Sequence, residues 1–322
     1  MTQVAVARSQ SVRLHRSRAA SLTALLIVQL LAAGPVDAQE RGVFHAETSL
    51  VVLHAIVKNA RGELVTDLNQ DAFSVYENGR RQKIALFRRD DIPVSLGLLI
   101  DNSGSMRALR ASVEAAALAC VRASNPLDEV FVLNFADRPQ LDVPFTSDVH
   151  ELEAGIARVG SIGGTAMRDA IEIGSQYLTE RARRDRRVLL VITDGKDNAS
   201  LASVEHIRKQ AAEREITIYA IRLRTDEDQA AARRARHELD ELTATTGGAA
   251  YYPSSLEGLD EIVLDIAREI RNQYTIAYTP LDQRLDGSYR QLRVAVRGPG
   301  RFFVRTRAGY RATPTTKATQ NR

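Results

Sequence analysis

Residues 95–105 read SLGLLIDNSGS, an apolar run followed at once by Asp101, Ser103 and Ser105. A short run of this kind is typical of a parallel strand that is buried on both faces. Similar runs recur along the chain and alternate with amphipathic stretches, which predicts an α/β fold with a doubly wound, mostly parallel sheet. We predict its strands at 95–100, 129–135, 187–193, 216–222 and 249–252.

The stretches between these strands have helical periodicity. Residues 140–145 predict an edge strand, because Pro139 and Pro144 disfavour a central position in a sheet. In sheets of this class, ligands bind beyond the carboxyl ends of the strands, so polar residues there are candidate site residues. The predicted helices are at 106–123, 148–158, 166–183, 201–213, 229–245 and 256–271.

Five oxygen-bearing side chains stand at the predicted strand-to-helix turns: Asp101, Ser103, Ser105, Thr165 and Asp194. Hard divalent cations select oxygen ligands, and Mg²⁺ sites combine one or two carboxylates with neutral oxygens and water. Two carboxylates and three hydroxyls neutralise such an ion incompletely, which leaves it attractive to an acidic group from another molecule. We therefore expect a divalent cation, Mg²⁺ before Mn²⁺ or Ca²⁺, in a site that binds a ligand rather than catalyses a reaction.

Each motif has a simpler structural explanation when it is taken alone. Asp101 and Ser103 could cap a helix, because such side chains accept hydrogen bonds from free N–H groups in its first turn. Thr165 could cap the helix that follows Gly163 and Gly164, and Asp194 could belong to a strand-ending turn. Three independent turns, each after the expected type of element, favour the metal site.

Taken together, the three turns resemble the metal-ion-dependent adhesion site of von Willebrand factor type A domains. The resemblance is carried by the Asp-x-Ser-x-Ser motif at 101–105, by Gly-Gly-Thr at 163–165 and by Thr-Asp-Gly at 193–195, and it covers residues 95–271. Such domains bind protein partners, so the resemblance implies a partner that presents an Asp or Glu.

The resemblance also implies a role for each candidate residue. Ser103 and Ser105 would bind the cation directly through their hydroxyl oxygens. Thr165 would bind it directly when an acidic ligand is present, while Asp101 and Asp194 would bind directly or through water.

The regions before and after this domain have the turn pattern of β-structure, such as the hairpin signal Asn78-Gly79. Neither region alone has enough strands for a stable sheet pair, whereas together they supply about six. We predict one β-sandwich interrupted by the α/β domain, similar to the bacterial secreted type in which an A domain lies within an immunoglobulin-like sandwich. The predicted strands are at 47–58, 73–77, 82–87, 274–278, 290–296 and 302–306.

The N-terminus predicts export. Four arginines precede an apolar stretch from Leu22 to Ala33, and small residues stand before a predicted cleavage point at Gln39. We expect a secreted or periplasmic protein with no membrane span after cleavage; an uncleaved N-terminal anchor is the alternative. The predicted order is a signal peptide at 1–38, an N-terminal sandwich segment at 43–90, the A domain at 93–271, a C-terminal sandwich segment at 272–310 and a disordered tail at 311–322.

Removal of the leader lowers the net charge from +4 to about +1, because it takes away four arginines and one aspartate. The basic composition therefore indicates little about partners, and we expect no nucleic-acid partner. One basic run, Arg181–Arg187, stands where a helix should end, and we expect it to be solvated there. Cys120 is the single cysteine, so no internal disulfide is available, and its Ala-rich surroundings predict a buried side chain.

Enzyme classes fit the sequence less well. A phosphoryl-transfer aspartate at Asp101 would normally need a second carboxylate two residues later, where Ser103 stands. There is no Gly-x-Ser-x-Gly elbow, no paired zinc spacing of histidines and no Gly-x-x-x-x-Gly-Lys loop. We therefore expect not an enzyme but a metal-dependent, adhesion-type protein-binding module. The alternative is an envelope-assembly or enzyme-accessory subunit that uses the A domain as a scaffold.

Overall fold

The computed structural model describes residues 50–89, 91–157, 162–224 and 228–313. Its strands are β1 (Val51–Lys58), β2 (Phe73–Glu77), β3 (Arg80–Gln82), β4 (Ile84–Arg88), β5 (Val94–Asp101), β6 (Glu129–Phe135), β7 (Pro139–Thr146), β8 (Arg186–Thr193), β9 (Ile216–Arg222), β10 (Ala250–Tyr251), β11 (Tyr274–Tyr278), β12 (Tyr289–Val296), β13 (Phe303–Arg305) and β14 (Gly309–Arg311). Its helices are α1 (Arg110–Arg122), α2 (Val149–Ile156), α3 (Met167–Arg181), α4 (Val204–Glu213), α5 (Gln229–Thr246) and α6 (Leu259–Arg271).

The central domain contains a six-stranded sheet in the order β10-β9-β8-β5-β6-β7. All neighbouring strands are parallel except β7, which is the edge strand and runs antiparallel to β6. Every residue of β5 and of β6 is buried, because helices cover both faces of the sheet. The predicted mostly parallel α/β sheet is confirmed, and the five predicted parallel strands agree with the structure to within one residue at each end.

Alternate residues of the central strands enter two different apolar cores. Leu98 lies in the core that α1 and α6 cover, together with Val263. The next residue, Leu99, lies in the opposite core with Ile171 of α3. Cys120 is buried in the first core, which confirms the prediction of a small buried side chain.

Three predicted helices begin three or four residues too early. The chain before α1 is a 3-10 helix, Gly104–Leu109, rather than α-helix. Ser203 caps α4 by accepting a hydrogen bond from the N–H of His206, and Gly258, at φ +77°, directly precedes α6. At α4 and α6 the cap residue, Ser203 or Gly258, sets the start of the α-helix, although the apolar periodicity already begins before it.

The regions before and after the central domain build two further four-stranded sheets, in the orders β13-β1-β11-β4 and β14-β12-β2-β3. Each sheet contains strands from both regions: β1 pairs antiparallel with β11, and β2 pairs antiparallel with β12. A shared apolar core includes Leu53 and Ile276 of the first sheet and Val75 and Val294 of the second. The two ends of the chain therefore depend on each other for strand partners and for burial.

Several predicted bounds in these sheets differ from the structure. The predicted strand at 82–87 is divided into β3 and β4, and a further strand, β14, extends beyond residue 310, the predicted end of the C-terminal sandwich segment. Ala312 is also buried, so the chain remains packed just after β14. The predicted signal peptide and residues 314–322 of the predicted tail lie outside the described residues.

Two buried carboxylates, of Glu77 and Glu269, connect the N-terminal region, the central domain and the C-terminal region. Glu77 of β2 accepts hydrogen bonds from the hydroxyls of Tyr278 and Tyr310, at 2.6 and 2.8 Å, and from Arg290 at 3.1 Å. These three partners come from β11, β14 and β12, so a residue of the N-terminal region holds three strands of the C-terminal region.

Glu269, on α6, plays the corresponding role between the central domain and the flanking sheets. Its carboxylate contacts Arg305 of β13, the Lys58 ammonium of β1 at 2.5 Å and the Tyr251 hydroxyl of β10 at 2.8 Å.

None of the helices in the described ranges is long and apolar enough to cross a membrane.

Candidate metal-binding site

Two of the predicted ligands stand at the carboxyl ends of neighbouring strands. Asp101 is the last residue of β5, and Asp194 directly follows β8, which pairs with β5 in parallel register. Both carboxylates are buried, with exposed fractions of 2% for Asp101 and 0% for Asp194. Both carboxylates therefore lie below the surface, at the carboxyl ends of the strands, rather than in open solvent.

The Asp101 carboxylate is held by two hydrogen bonds. Its Oδ1 accepts from the backbone N–H of Ser103 at 2.8 Å, and its Oδ2 accepts from the Thr193 hydroxyl at 2.7 Å. Burial raises the pKa of Asp101 to about 6, although the hydrogen bonds from Ser103 and Thr193 act in the opposite direction; the charge of Asp194 raises it further. Two buried carboxylates close to each other are costly without a cation nearby.

The two serines of the first motif contact each other. The Oγ atoms of Ser103 and Ser105 are 3.1 Å apart. Ser103 occupies the cap position of the 3-10 helix, but its side chain makes no capping hydrogen bond, so helix capping does not explain this serine. The contact places two neutral oxygens directly after the buried carboxylate of Asp101.

Hydrogen bonds connect the Thr165 loop to the other two loops. The N–H of Gly104 donates to the carbonyl of Gly163 at 3.2 Å, which joins the first loop to the second. The N–H of Thr165 donates to Oδ1 of Asn198 at 2.8 Å, and the Thr165 carbonyl accepts from the N–H groups of Asn198 and Ala199, both at 3.1 Å. The three predicted turns thus form one connected set of loops.

The Thr165 side chain is 2% exposed, and helix capping does not explain it. Helix α3 has Ala166 at its cap position, where no side chain makes a capping hydrogen bond.

Two residues that support these loops were missed by sequence reasoning. Asp137 accepts a hydrogen bond from the N–H of Gly164 at 2.6 Å, and Asn198 holds Thr165. Gly163 is required here, because its φ is +100° and a Cβ atom would lie 2.2 Å from Oδ2 of Asp137. Only their places in the sequence could have identified them, because Asp137 comes after the end of β6 and Asn198 comes after the end of β8.

Lys196 brings positive charge to the same place. Its backbone N–H donates to Oδ1 of Asp194 at 3.1 Å, and its ammonium lies 3.8 Å from Oδ2. In the part of the chain that the structure describes, no group of three or more His, Cys, Asp or Glu residues could hold a metal ion. A cation here would therefore depend on the hydroxyls of Ser103, Ser105 and Thr165 as well as on the two carboxylates, and this mixed oxygen set fits a hard divalent ion.

Comparison with known families agrees with the central fold. Residues 96–196 match the model of the von Willebrand factor type A domain, a span that includes all five candidate ligands. Residues 147–254 match a second family, described as a protein of unknown function (DUF1194). No curated protein matches the chain.

Solved structures are similar at low sequence identity. Proximal thread matrix protein 1 from the mussel byssus, with a zinc-occupied MIDAS motif, is 20% identical, with a TM-score of 0.50 over 60% of this chain and 49% of that one. An aerotolerance-related membrane protein from Bacteroides fragilis is 18% identical, with a TM-score of 0.46 over 55% of this chain and 98% of that one. A von Willebrand factor type A protein from Catenulispora acidiphila is 13% identical, with a TM-score of 0.49 over 76% and 74%. The family match and the strand order support a von Willebrand factor type A fold for the central domain.

Proposed function

We propose that this protein is a secreted or periplasmic binding module that holds a divalent cation at the carboxyl edge of its central sheet and, through it, binds an acidic side chain of a protein partner. The observation that carries the proposal is the connected set of three loops, with two buried carboxylates and hydroxyls that are not used as helix caps. The von Willebrand factor type A match over residues 96–196 supports the same site.

In this proposal each residue has a defined task. Ser103 and Ser105 supply neutral hydroxyl oxygens, and Asp101 and Asp194 supply carboxylate oxygens directly or through water. When bound, the ion would supply positive charge that the site's own carboxylates neutralise only in part. The partner's carboxylate would supply the remaining negative charge. Thr165 adds a hydroxyl from the second loop, whose backbone Asn198 positions.

Mg²⁺ is our first choice for the ion, and Mn²⁺ and Ca²⁺ are alternatives. The zinc-occupied MIDAS motif of the mussel byssus protein is a property of that protein, and it supports a divalent cation here only by analogy. For the flanking sheets, we propose that they form the immunoglobulin-like sandwich into which the A domain is inserted.

The second candidate is a scaffold role as an envelope-assembly or enzyme-accessory subunit without metal-dependent binding. The Lys196 ammonium, 3.8 Å from Asp194, favours it, because a resident cation already neutralises some of the acidic charge. In neither candidate do we assign an enzymatic activity.

Calorimetric titration with MgCl₂ and MnCl₂ tests the site. We expect saturable binding to the wild-type protein, none to Asp101→Ala, and unchanged binding to Asp265→Ala, a control that removes an exposed aspartate from α6. Metal affinity that is equal in all three proteins would exclude the site.

A pull-down from the native envelope fraction, with and without EDTA, then separates the two candidates. Loss of the partner with EDTA supports metal-dependent binding. Retention of the same partner supports the scaffold role.

A further inference from the structure

A second concave region lies at the amino ends of the parallel strands of the central sheet, opposite the candidate metal site. It is a cavity of about 480 Å³ between the amino ends of β8 and β9 and the first flanking sheet, where β1, β4 and β11 contribute residues. Because parallel strands all run the same way, this cavity lies at the other end of the sheet from Asp101 and Asp194. Its volume is within the range of small-molecule binding sites, about 300–1,000 Å³.

The charge around this cavity is unbalanced. Five arginines line it, against two carboxylates, Asp185 and Glu215. One of the arginines is already paired, because Arg307 donates to Glu215 at 2.6 Å. The lining arginines are Arg88, Arg186, Arg187, Arg214 and Arg307.

Arg186 is the most buried of these arginines, with an exposed fraction of 2%. Its guanidinium donates to the carbonyl of Ile270 at 2.7 Å and, at 3.4 Å, to the hydroxyl of Thr275. Its Nε has no hydrogen-bond partner among the described residues. Burial lowers the pKa of Arg186, although the charges of Asp91 and Asp128 act in the opposite direction.

Two neighbouring arginines also have buried donors without partners. Within the described ranges, the Nε of Arg187 and the Nη1 of Arg214 make no hydrogen bond. Leaving buried donors of charged groups unsatisfied is costly. With five arginines against two carboxylates, the lining as a whole favours an anionic ligand over a neutral or cationic one.

The rest of the wall is apolar or uncharged. Leu86, Ile92 and Ile216 line the cavity together with Ala211 and Ala212. An inorganic anion would leave this apolar surface without a partner, whereas an organic anion would cover it.

We propose that this cavity binds a small organic anion, whose carboxylate or phosphate head contacts the partly exposed Arg187 and Arg214 and whose apolar body packs against Leu86 and Ile216, while the buried charge of Arg186 adds to the attraction. Guanidinium groups suit this task, because their donors match the oxygens of either head group in pairs. The expectation that the whole basic run at 181–187 is solvated is wrong for Arg186, which begins β8 and is buried beside the cavity.

Octyl phosphate and octanoate are suitable probes, with inorganic phosphate as the head-only control. Calorimetric titrations are carried out on the full chain in EDTA, so that metal-dependent binding at the opposite edge does not contribute. We expect at least one alkyl anion to bind at least about tenfold more tightly than inorganic phosphate. The preferred probe identifies the head group as phosphate or carboxylate.

The variant for the test is Arg187→Gln/Arg214→Gln, because both side chains are partly exposed and the variant leaves the buried Arg186 in place. We expect its affinity for the preferred probe to fall at least about tenfold. Arg122→Gln, an exposed surface arginine paired with Glu153, is the matched control and should bind as the wild type does. Circular dichroism confirms that each variant is folded.

Three results would overturn the proposal: no saturable binding of either alkyl anion, equal affinity for inorganic phosphate and the alkyl anions, or undiminished affinity in the folded double variant.

Discussion

Thr165 is positioned by its backbone, which leaves its hydroxyl as the group to test. Both its N–H and its carbonyl are bonded to the third loop, at Asn198 and Ala199. A neutral hydroxyl contributes no charge to a cation site, so Thr165→Ala should weaken metal binding less than loss of an aspartate does. If Thr165 binds the ion only in the liganded state, the same change should reduce affinity for an acidic ligand at least about tenfold.

The measurement is a pair of titrations on the same protein, one with Mg²⁺ alone and one with an acidic ligand in saturating Mg²⁺. Thr165→Ser retains the hydroxyl and should behave as the wild type does. Equal losses in both titrations, or no loss in either, would show that Thr165 is not a state-dependent ligand.

From the lowered pKa of the buried His54 we predict that the stability of the protein depends on pH. Burial, with the charges of Arg186 and Arg307, lowers its pKa from 6.5 to about 3, and its Nδ1 is 3.3 Å from the Thr275 hydroxyl. Between pH 6.5 and 3 the unfolded chain takes up a proton that the folded chain does not, so stability falls as the pH falls through this window. From pH 7 to 4.5 we expect the unfolding free energy of the wild type to decrease by about 2 kcal/mol more than that of His54→Gln.

Urea unfolding at both pH values measures this difference. His237→Gln, at an exposed position on α5, is the control and should retain the wild-type pH dependence. The same decrease in His54→Gln as in the wild type would show that the imidazole is protonated equally in both states.

At the scale of residues, the sequence predicted side chains that a motif marks and missed those that only the tertiary structure brings together. Asp101 and Asp194 could be identified because each stands at the end of an apolar run. Asp137 and Asn198 are single polar residues in loops, and nothing local distinguishes them from ordinary turn residues. Arg186 was expected to be solvated, because the sequence does not show that a flanking sheet covers the start of β8.

At the scale of elements, burial determined what could be predicted. Strands β6 and β9 were predicted with their observed ends, because both are rich in apolar and β-branched or aromatic residues and are followed by polar loop residues. Strand β14 was missed, since Gly309–Arg311 has no apolar run and is held by pairing with β12. The start of α1 was misplaced, because periodicity does not distinguish a 3-10 turn from the first turn of an α-helix.

From the contacts of Glu269 we predict how much this residue contributes to holding α6 against the flanking strands. Its carboxylate is 1% exposed and contacts Lys58 of β1 and Arg305 of β13. Burial raises its pKa, but the charges of Arg305 and Lys58 outweigh this effect and hold the pKa below its usual value. Glu269→Gln would leave two partly buried cations without a counter-charge, so we expect a loss of about 3 kcal/mol in the free energy of unfolding at pH 7.

Urea denaturation measures this loss. Glu153→Gln is the control, because it breaks a pair with the exposed Arg122 and should cost much less than Glu269→Gln. A loss for Glu269→Gln as small as that of the control would show that the contacts of Glu269 contribute little to holding α6 against the flanking strands. Because the pKa of Glu269 is lowered, its contribution should be present at neutral pH and decrease in acid.

At the scale of the whole molecule, the two ends of the chain complete each other. β1 pairs with β11 and β13, and β2 pairs with β12. Glu77 adds a buried contact to Arg290, so charge as well as burial joins the two ends. The turn pattern of the two regions predicted that they contain strands, but their register depends on contacts about 200 residues apart in sequence, such as that between Glu77 and Tyr278.

This interdependence predicts the effect of a truncation. Deletion of 274–322 removes β11 to β14, which leaves both edges of β1 unpaired and exposes the apolar side of β2. We expect the truncated protein to aggregate or, where it stays monomeric, to lose hydrogen-exchange protection over 51–87. The central strands β5 and β8 should remain protected, because both of their neighbours and both of their covering layers belong to residues before 274.

Deletion of 314–322 alone is the matched control, because it removes no described strand and should leave the exchange pattern unchanged. Hydrogen exchange read by mass spectrometry compares the three proteins peptide by peptide. Full protection of 51–87 in the longer deletion would mean that the N-terminal strands are stable without partners from the C-terminal region. In that case the paired sheets would be a docking contact between two independent units rather than one fold built from both ends of the chain.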